Sequence, residues 1–548
     1  MLNERRTQHS TFNIEHSTFL VYPHSYPVKA HLLAAALLVG TAASAAPLRI
    51  GTVTVHALDV YSAEEAGKGW FYRVADRLHI ETRRGVIEKF LLFRAGDEYR
   101  PELLAQTERN LRALHFLKSA SVVASPEHDG VVDVVVTTQD AWSIAPETQA
   151  GSKGGESTYG ATLTDSNLIG LGKEIELEWD KGVDRSRLGV NYNDPVFFAP
   201  YWSAKFGYAH NSDGYDHRFM VVRPFYSFTT PWAAELSFTG FQQDDHIYED
   251  GVERERFQHH RREVVGSYGV ALSATDAAAT RLTAGVRLVD NSFSTLHSEP
   301  LMVVPEPREF RYLFFRLDRV ENDFVKLNFV NKDVRFEDFN LGRQTSVEAA
   351  VSPRAFGPDE TTGFVRMAAS QGHRVGADAF ILPAASLSSR LDGGLAHTIA
   401  ATSLLYIRRT DAVHPRALVG RIAVTGGWRV DRDVQFFADG LTGLRGYRAH
   451  SFAGSRALIL NLEHRVYLGR EVLQLATPAL AAFVDAGNAT DGGATELLSL
   501  KTDVGVGIRI GLPRTLKNLL RLDLSYALNA DPLGRRGFMV SFSSGQAF

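Results

Sequence analysis

From Asp503 to Ile510 every second residue is aliphatic. Val504, Val506, Ile508 and Ile510 share one parity, while Asp503, Gly505, Gly507 and Arg509 share the other. A strand repeats every two residues, so one side of this segment is apolar and the other carries both signs of charge. Leu520, Leu522, Leu524, Tyr526 and Leu528 repeat the scheme against Arg521, Asp523 and Ser525, and Leu458, Leu460, Leu462 and Val466 do so against Asn461, Glu463 and Arg465. Charges on alternate residues are poorly suited to the core of a soluble sandwich. They suit the polar interior of a barrel whose outside meets lipid, because a bilayer admits strands only when the sheet is closed and has no free edge.

At 548 residues the chain exceeds one ordinary globular core, so two or more units, or one large barrel, are expected. A formal net charge of -4 argues against a nucleic-acid partner, since a strong phosphate binder ordinarily carries a basic excess. Cys is absent, which excludes disulfide scaffolds and thiolate metal sites and agrees with an oxidising compartment. The 46 Gly, 33 Phe and 18 Tyr lean toward an all-β protein with many turns and aromatic girdles.

Residues 28–45 read as a secretory signal peptide. Lys29 stands near its start, an apolar run extends from Leu32 to Gly40, and Ala43-Ser44-Ala45 supplies a small-residue cleavage site, so the mature protein is expected to begin near Ala46. The run is shorter than the ~20 apolar residues of a membrane-spanning helix. Residues 1–27 are polar, mixed in charge and aperiodic, and are read as a mis-called start, with Val28 as the true initiator.

Residues 46–144 predict a small α+β domain. Ile50, Val53 and Val55 suggest a strand, and Thr82 to Phe93 places Val86, Ile87, Phe90 and Leu91 on one helical face. Pro101 sits where a first helical turn tolerates it, ahead of a stripe of Leu103, Leu104, Thr107, Leu111 and Leu114. Ser121 to Ser125 and Val131 to Thr138 flank a turn at His128-Asp129-Gly130 and predict a closing hairpin. The passage from Leu103 to Val122 resembles a polypeptide-transport-associated (POTRA) repeat, and the length accommodates one such repeat, with Trp70 to His79 as an insertion in it.

Residues 145–548 are segments of alternating hydrophobicity separated by Gly, Asp, Asn and Pro. Between Trp202 and Trp428 the pattern does not fix the strand boundaries. One loop stands apart: Asp439-Gly440-Leu441-Thr442-Gly443-Leu444-Arg445-Gly446-Tyr447, with Phe452-Ala453-Gly454 behind it. It is rich in glycine, holds a single Arg between Leu444 and Gly446, and precedes five alternating segments: Arg456 to Leu468, Ala479 to Ala486, Asp503 to Gly511, Leu519 to Leu528 and Gly537 to Phe542.

Thr164-Asp165-Ser166-Asn167-Leu168-Ile169-Gly170-Leu171-Gly172, Asn193-Asp194-Pro195, the Leu444-Arg445-Gly446-Tyr447 loop, Ala482-Phe483-Val484-Asp485-Ala486-Gly487 and a C-terminal aromatic follow one another in that order. Together they resemble the outer-membrane assembly family of BamA and TamA, the bacterial surface antigen family. The resemblance implies a transmembrane antiparallel β-barrel of about sixteen strands behind one periplasmic POTRA-like domain, in the outer membrane of a Gram-negative bacterium. It implies that the Leu444-Arg445-Gly446-Tyr447 loop enters the lumen from outside and that Asp485 partners Arg445, with Phe483 and Gly487 supporting that motif. It also implies that Phe542 and Phe548, on one parity of the last strand, form the signal by which the barrel is itself recognised for insertion.

Plainer readings stand beside these. Arg445 is also readable as an exposed loop arginine, and Asp485 as one more lumenal carboxylate. His259-His260 followed by Arg261-Arg262 is read as a solvated, charged strand end, because no second ligand cluster lies at metal-binding spacing. Gly170-Leu171-Gly172-Lys173 lacks the remaining residues of a phosphate loop and is read as a strand turn. No Gly-x-Ser-x-Gly elbow or His-Glu-x-x-His helix points to a hydrolase, and no catalytic residue, metal or cofactor is expected. The expected function is assisting the assembly, insertion or translocation of polypeptides, with outer-membrane lipid, unfolded clients and an accessory periplasmic or inner-membrane protein as partners. The alternatives are a passive or solute-selective channel, or a two-partner secretion transporter.

Overall fold

The computed structural model describes residues 47–60, 80–153, 155–296, 304–327, 337–358, 360–410, 415–468, 472, 476–512 and 519–544. The signal peptide and its prefix, the insertion from Trp70 to His79 and the terminal Phe548 lie outside the described residues.

The N-terminal unit comprises β1 (Arg49–Leu58), α1 (Arg84–Glu88), α2 (Pro101–Arg112), β2 (Leu117–Ala124) and β3 (Val131–Asp140). Pro101 opens α2, where its missing N–H removes no helical hydrogen bond. β3 runs between the other two strands, parallel to β1 and antiparallel to β2. Asp129 (φ 50°) and Gly130 (φ 75°) give the tight turn between β2 and β3 its left-handed pair. Ile50, Val55, Ile87, Leu104, Leu111, Val134 and Val136 fill the core against the helices. The helix expected over Thr82 to Phe93 is shorter, spanning only Arg84–Glu88. Beyond it the chain turns away from the helical path, and the Leu92 N–H is taken by Thr107 Oγ1 of α2 at 3.2 Å.

Beyond Ile144 one sheet closes on itself, with its first strand (Ile144–Lys153) beside its last (Phe538–Ser544). Twenty-one segments take part. Thr362–Ser370 and His373–Arg374 pair in line with the same neighbour, so among the described residues the wall has twenty strands. The expected number of about sixteen is corrected to that extent. Eleven of the strands lie between Ser203 and Trp428, where Trp232–Glu249, Val252–Ala274 and Ala278–Ser294 run 18, 23 and 17 residues. About ten residues suffice to cross a bilayer, so the outer parts of these strands are wet on both faces and lose the alternation that marks a lipid-facing strand. The five strands after the glycine-rich loop span Arg456–Tyr467, Thr477–Thr490, Lys501–Gly511, Leu519–Ala527 and Phe538–Ser544, within a few residues of the sequence expectation except where Thr477–Thr490 is longer.

Parity decides which side chains face which medium. Val504, Val506, Ile508, Ile510, Leu522 and Leu524 are exposed on the outside, whereas Asp503, Arg509, Arg521 and Asp523 are buried inside. Leu188, Phe206, Phe219, Leu236, Tyr268 and Phe315 continue the exposed apolar surface around the wall. A surface of that extent is stable against lipid and not against water.

The N-terminal unit packs beneath one mouth of the barrel. Arg83 N donates to Gly170 O at 3.0 Å, Asn167 Nδ2 to Thr82 Oγ1 at 2.9 Å and Tyr201 OH to Leu91 O at 2.8 Å, while Arg100 pairs with Asp276 at 2.6 Å. Gly170 and Gly172 both have positive φ. A Cβ on Gly170 would lie 2.5 Å from Glu81 O, and one on Gly172 would lie 2.8 Å from the Phe116 ring. The turn at 167–172 is therefore a docking surface for the small unit as well as a strand connection.

Two segments enter the interior from opposite ends. The glycine-rich loop, 429–455, comes from the mouth remote from the N-terminal unit. At the near mouth, Phe324–Leu327 pairs with Glu337–Asn340 as a separate two-stranded sheet.

Candidate functional site: a lumenal arginine cage

The loop is folded before it meets the wall. Phe436–Phe437 pairs with Ala453–Gly454 across its neck. Asp439 organises the turn between them: its Oδ1 accepts from the N–H groups of Leu441 and Thr442 at 2.9 Å each, and its Oδ2 accepts from His450 N at 2.6 Å. Leu444 N returns to Asp439 O at 2.7 Å. Leu444 and Tyr447 are then buried with Ile459, Phe452 and Ala489, and Arg445 projects into the wall.

Arg445 Nε donates to Asp485 Oδ2 at 2.7 Å and its NH2 to Asp485 Oδ1 at 2.9 Å, a forked pair that fixes the plane of the guanidinium. Its NH1 donates to Glu463 Oε2 at 2.5 Å, and Asp523 Oδ2 lies 3.7 Å away. The guanidinium carbon sits 3.4 Å from the centre of the Phe483 ring. That ring crosses Gly505, where a Cβ would lie 2.3 Å from it. Three wall strands thus contribute carboxylates to one loop cation. Burial works against the charge on Arg445, but its hydrogen bonds to Asp485 and the neighbouring carboxylates outweigh it and hold the guanidinium above its ordinary pKa.

The cage extends through the wall. Arg509 bridges Glu463 at 3.1 Å and Asp523 at 2.6 Å, and Arg465 Nε reaches Glu463 Oε1 at 2.7 Å. Asn461 Nδ2 donates both to Asp485 Oδ1 and to Gly443 O at 2.8 Å, and Ser525 Oγ donates to Arg445 O at 2.8 Å. Glycine is required beside the arginine by proximity: a Cβ on Gly446 would lie 2.5 Å from Asp503 Cβ, and one on Gly487 would lie 2.4 Å from Leu458 O. Tyr447 OH donates to Thr502 O at 3.0 Å.

A second set of contacts ties the loop to the far wall. Asp431 forms a forked pair with Arg390 at 2.9 Å for both bonds, and Arg308 pairs with Asp433 at 2.8 Å. Burial opposes the Asp431 charge, yet the His397 and Arg390 side chains prevail and hold this carboxyl well below its usual range. Gln435 exchanges two 2.8 Å hydrogen bonds with the backbone of Tyr248, and His450 stacks on the Tyr248 ring at 4.0 Å. The loop is a strut across the lumen.

Leu444, Arg445, Gly446, Tyr447, Phe483, Asp485 and Gly487 all converge on the cage. Phe542 does not; it lies in the last strand opposite Leu522, on the parity of exposed Phe538 and Val540. Glu463, Arg509, Asp523 and Asn461 belong to the cage although the sequence marks them only as inward-facing. Their signal is that shared parity, and their common target is visible only once the strands are aligned. His259 departs from the expected solvated strand end. It is buried within its strand, 2.7 Å from Asp245 and 3.2 Å from Asn291, and stacked on Phe293. Among the described residues no group of three or more His, Asp or Glu side chains is placed to hold a metal ion.

No family model matches the chain, and none of the curated proteins does. Among solved structures, CdiB from Acinetobacter baumannii superposes with a TM-score of 0.47 at 12% identity, covering 91% of this chain and 74% of that one. CdiB from Escherichia coli gives 0.43 at 11% identity over 93% and 92% of the two chains. BamA from Haemophilus ducreyi lacking POTRA domains 1–3 gives 0.38 at 10% identity over 91% and 84%. At such identities and scores these likenesses carry no functional weight.

Proposed function

We propose that the chain is a non-enzymatic transporter in the outer membrane of a Gram-negative envelope, with its POTRA-like unit in the periplasm, and that its cargo is polypeptide. The reading rests first on the strut held by Arg445. An ion cage that fastens a folded loop across the lumen regulates a passage, whereas a passive solute pore is served by an open interior. The mouth on the side of the N-terminal unit is likewise occupied, by the hairpin Phe324–Leu327 with Glu337–Asn340. The N-terminal unit leaves β2 on the edge of its sheet, where an extended chain can add by main-chain hydrogen bonding.

A narrower reading, insertion of other barrels in the manner of BamA and TamA, is favoured by one feature. The last strand, described over seven residues, presents Phe538 and Val540 to lipid beside the first strand, at a seam where an incoming strand could pair. Depleting the protein and quantifying outer-membrane and secreted proteins tests both. Loss of one secreted partner supports transport, loss of several barrels supports insertion, and an unchanged protein profile with altered solute uptake overturns the polypeptide reading in favour of a channel.

A further inference from the structure

The hairpin at the near mouth rests on a wall patch that has no use in a water-filled lumen. Beside the arginine cage the inner wall carries an apolar patch: beyond Arg465 comes Tyr467, and near it stand Ala479, Val419, Ala417 and Ile407, all buried, with Arg509, Glu463 and Arg465 bordering them across the strand pairs. Val325 and Leu341 pack on this patch together with Phe380. On the opposite side Phe324 packs against Phe228 and Ala279. The stem of the hairpin therefore reaches from one side of the inner mouth to the other. Its base is stapled by Asn340, whose Oδ1 accepts from Asp323 N at 3.2 Å and Gly342 N at 2.9 Å while its Nδ2 donates to Glu321 O at 2.9 Å.

One face of α2 meets the hairpin from below. Arg112 makes a forked pair with Asp338, its NH2 at 3.0 Å from both carboxylate oxygens and its Nε at 3.2 Å from Oδ2. Arg109 lies 5.9 Å from the centre of the Phe324 ring, and Glu108 is 3.5 Å from Lys326 Nζ. The hairpin joins neither the barrel sheet nor the sheet of the N-terminal unit. On the barrel side it is held by apolar contact along the stem, with Gly372 N donating to Leu341 O at 2.9 Å and Arg374 pairing with Asp323 at 3.2 Å at its base, and on the domain side by charge.

We propose that this hairpin is an autoinhibitory plug of the inner mouth, keyed to the POTRA-like unit by the Arg112–Asp338 pair. Displacement of that unit, as when it takes up a client, withdraws α2 from Asp338, loosens the plug and uncovers the apolar patch around Val419. The patch then offers its surface to an extended segment of alternating apolar residues, the pattern the hairpin itself lays there. This inference rests on the barrel and lumen described above and deepens the transport reading.

The natural chain has no cysteine, so a single introduced thiol is the sole target of a maleimide. The full-length protein carrying Val419→Cys, reconstituted in vesicles, is labelled with a membrane-impermeant maleimide. Labelling is expected to be slow in that background, to accelerate on the order of tenfold when Arg112→Asp is added, and to return toward the slow rate when Asp338→Arg is then added. Asp338→Asn, which breaks the pair without placing a like charge beside it, gives the same acceleration and serves if Arg112→Asp does not fold. A labelling rate unmoved by either single substitution, in protein that retains its folded mobility on gels, overturns the proposal. The labelling needs no cargo, so it fails or succeeds separately from the depletion experiment on which the transport reading depends.

Discussion

The outer strut buries Arg445 among the carboxylates of three wall strands, whereas the inner hairpin lays Val325 and Leu341 on an apolar patch of the wall. Both fill the lumen, but they hold to it differently. The strut's bonds at the cage are directional and fully buried, so a small displacement leaves charges unpaired at a cost of several kcal/mol. The hairpin's side chains meet the wall by non-directional contact, with directional bonds at its base (Gly372 N to Leu341 O at 2.9 Å and Arg374 to Asp323 at 3.2 Å), and its one forked ion pair belongs to the N-terminal unit. A segment seated by apolar contact slides more readily than one locked by ions. The difference assigns permanence to the first and movement to the second.

The sharpest test of this contrast is Arg445→Ala, which leaves Asp485 buried without its cation and Glu463 with only Arg465 and Arg509. A destabilisation of about 3–5 kcal/mol is expected, read as a lower urea midpoint for loss of the folded band on gels. Arg445→Lys should recover only part of it, because an ammonium cannot make the forked pair. In a double-mutant cycle, Arg445→Ala and Asp485→Ala should fall short of additivity by about 1–3 kcal/mol. Strict additivity would mean that the two side chains are neighbours without being coupled.

Leu341→Ala removes an anchor of the hairpin, and a cost of about 2–3 kcal/mol is expected at the seat itself. Protease cleavage within the hairpin should rise while the urea midpoint of the barrel stays near wild type. A fall in both together would show that the hairpin is as integral to the wall as the strut, and would erase the distinction.

Gly446→Ala introduces a Cβ 2.5 Å from Asp503 Cβ, with only wall backbone and side chain to yield. Overpacking of this kind costs about 1–3 kcal/mol and should expose the loop to external protease without abolishing barrel formation. A variant as resistant as wild type would show that the cage tolerates more slack than its contacts suggest.

The smallest effect is expected at the strut's far end. Asp431→Asn weakens a forked pair with Arg390 that is mostly buried, but the amide oxygen can still accept from the guanidinium, so a cost of about 1–2 kcal/mol is expected. Loop protection should drop slightly, and the drop should shrink in high salt. The Arg445 variants should show no such salt dependence, since their partners are out of reach of solvent ions.

The quarter of the barrel that follows the loop is legible in the sequence because its strands are short and cross lipid over most of their length, so Val504 to Ile510 alternates without a break. The middle of the chain is not, because strands such as Val252–Ala274 continue into water, where His259 and Arg261 share the inward side with no apolar rhythm opposite them. The central contact of the candidate site is legible only through the family resemblance, which pairs Arg445 with Asp485. Glu463, Asp523 and Arg509 become its neighbours through register: Asn461 stands opposite Asp485 and Asp485 opposite Asp503, relations that no single strand encodes. The hairpin leaves little trace, since Phe324-Val325 and Phe339 read as more wall strand when the surrounding segments already look like wall.

The long strands Trp232–Glu249, Val252–Ala274 and Ala278–Ser294 stand far around the circle from the seam between Ile144–Lys153 and Phe538–Ser544. At about 3.3 Å per residue, the 23 residues of Val252–Ala274 measure roughly 75 Å and the 10 of Ile144–Lys153 roughly 33 Å. The rim is consequently slanted, with a high back wall and a low front. The outer mouth is walled on one side by the long strands and opens low on the other, directly above the place where the cylinder is joined. Such a shape gives the barrel a heading in the plane of the membrane, and two of them approaching one another would not be equivalent front to front and back to back.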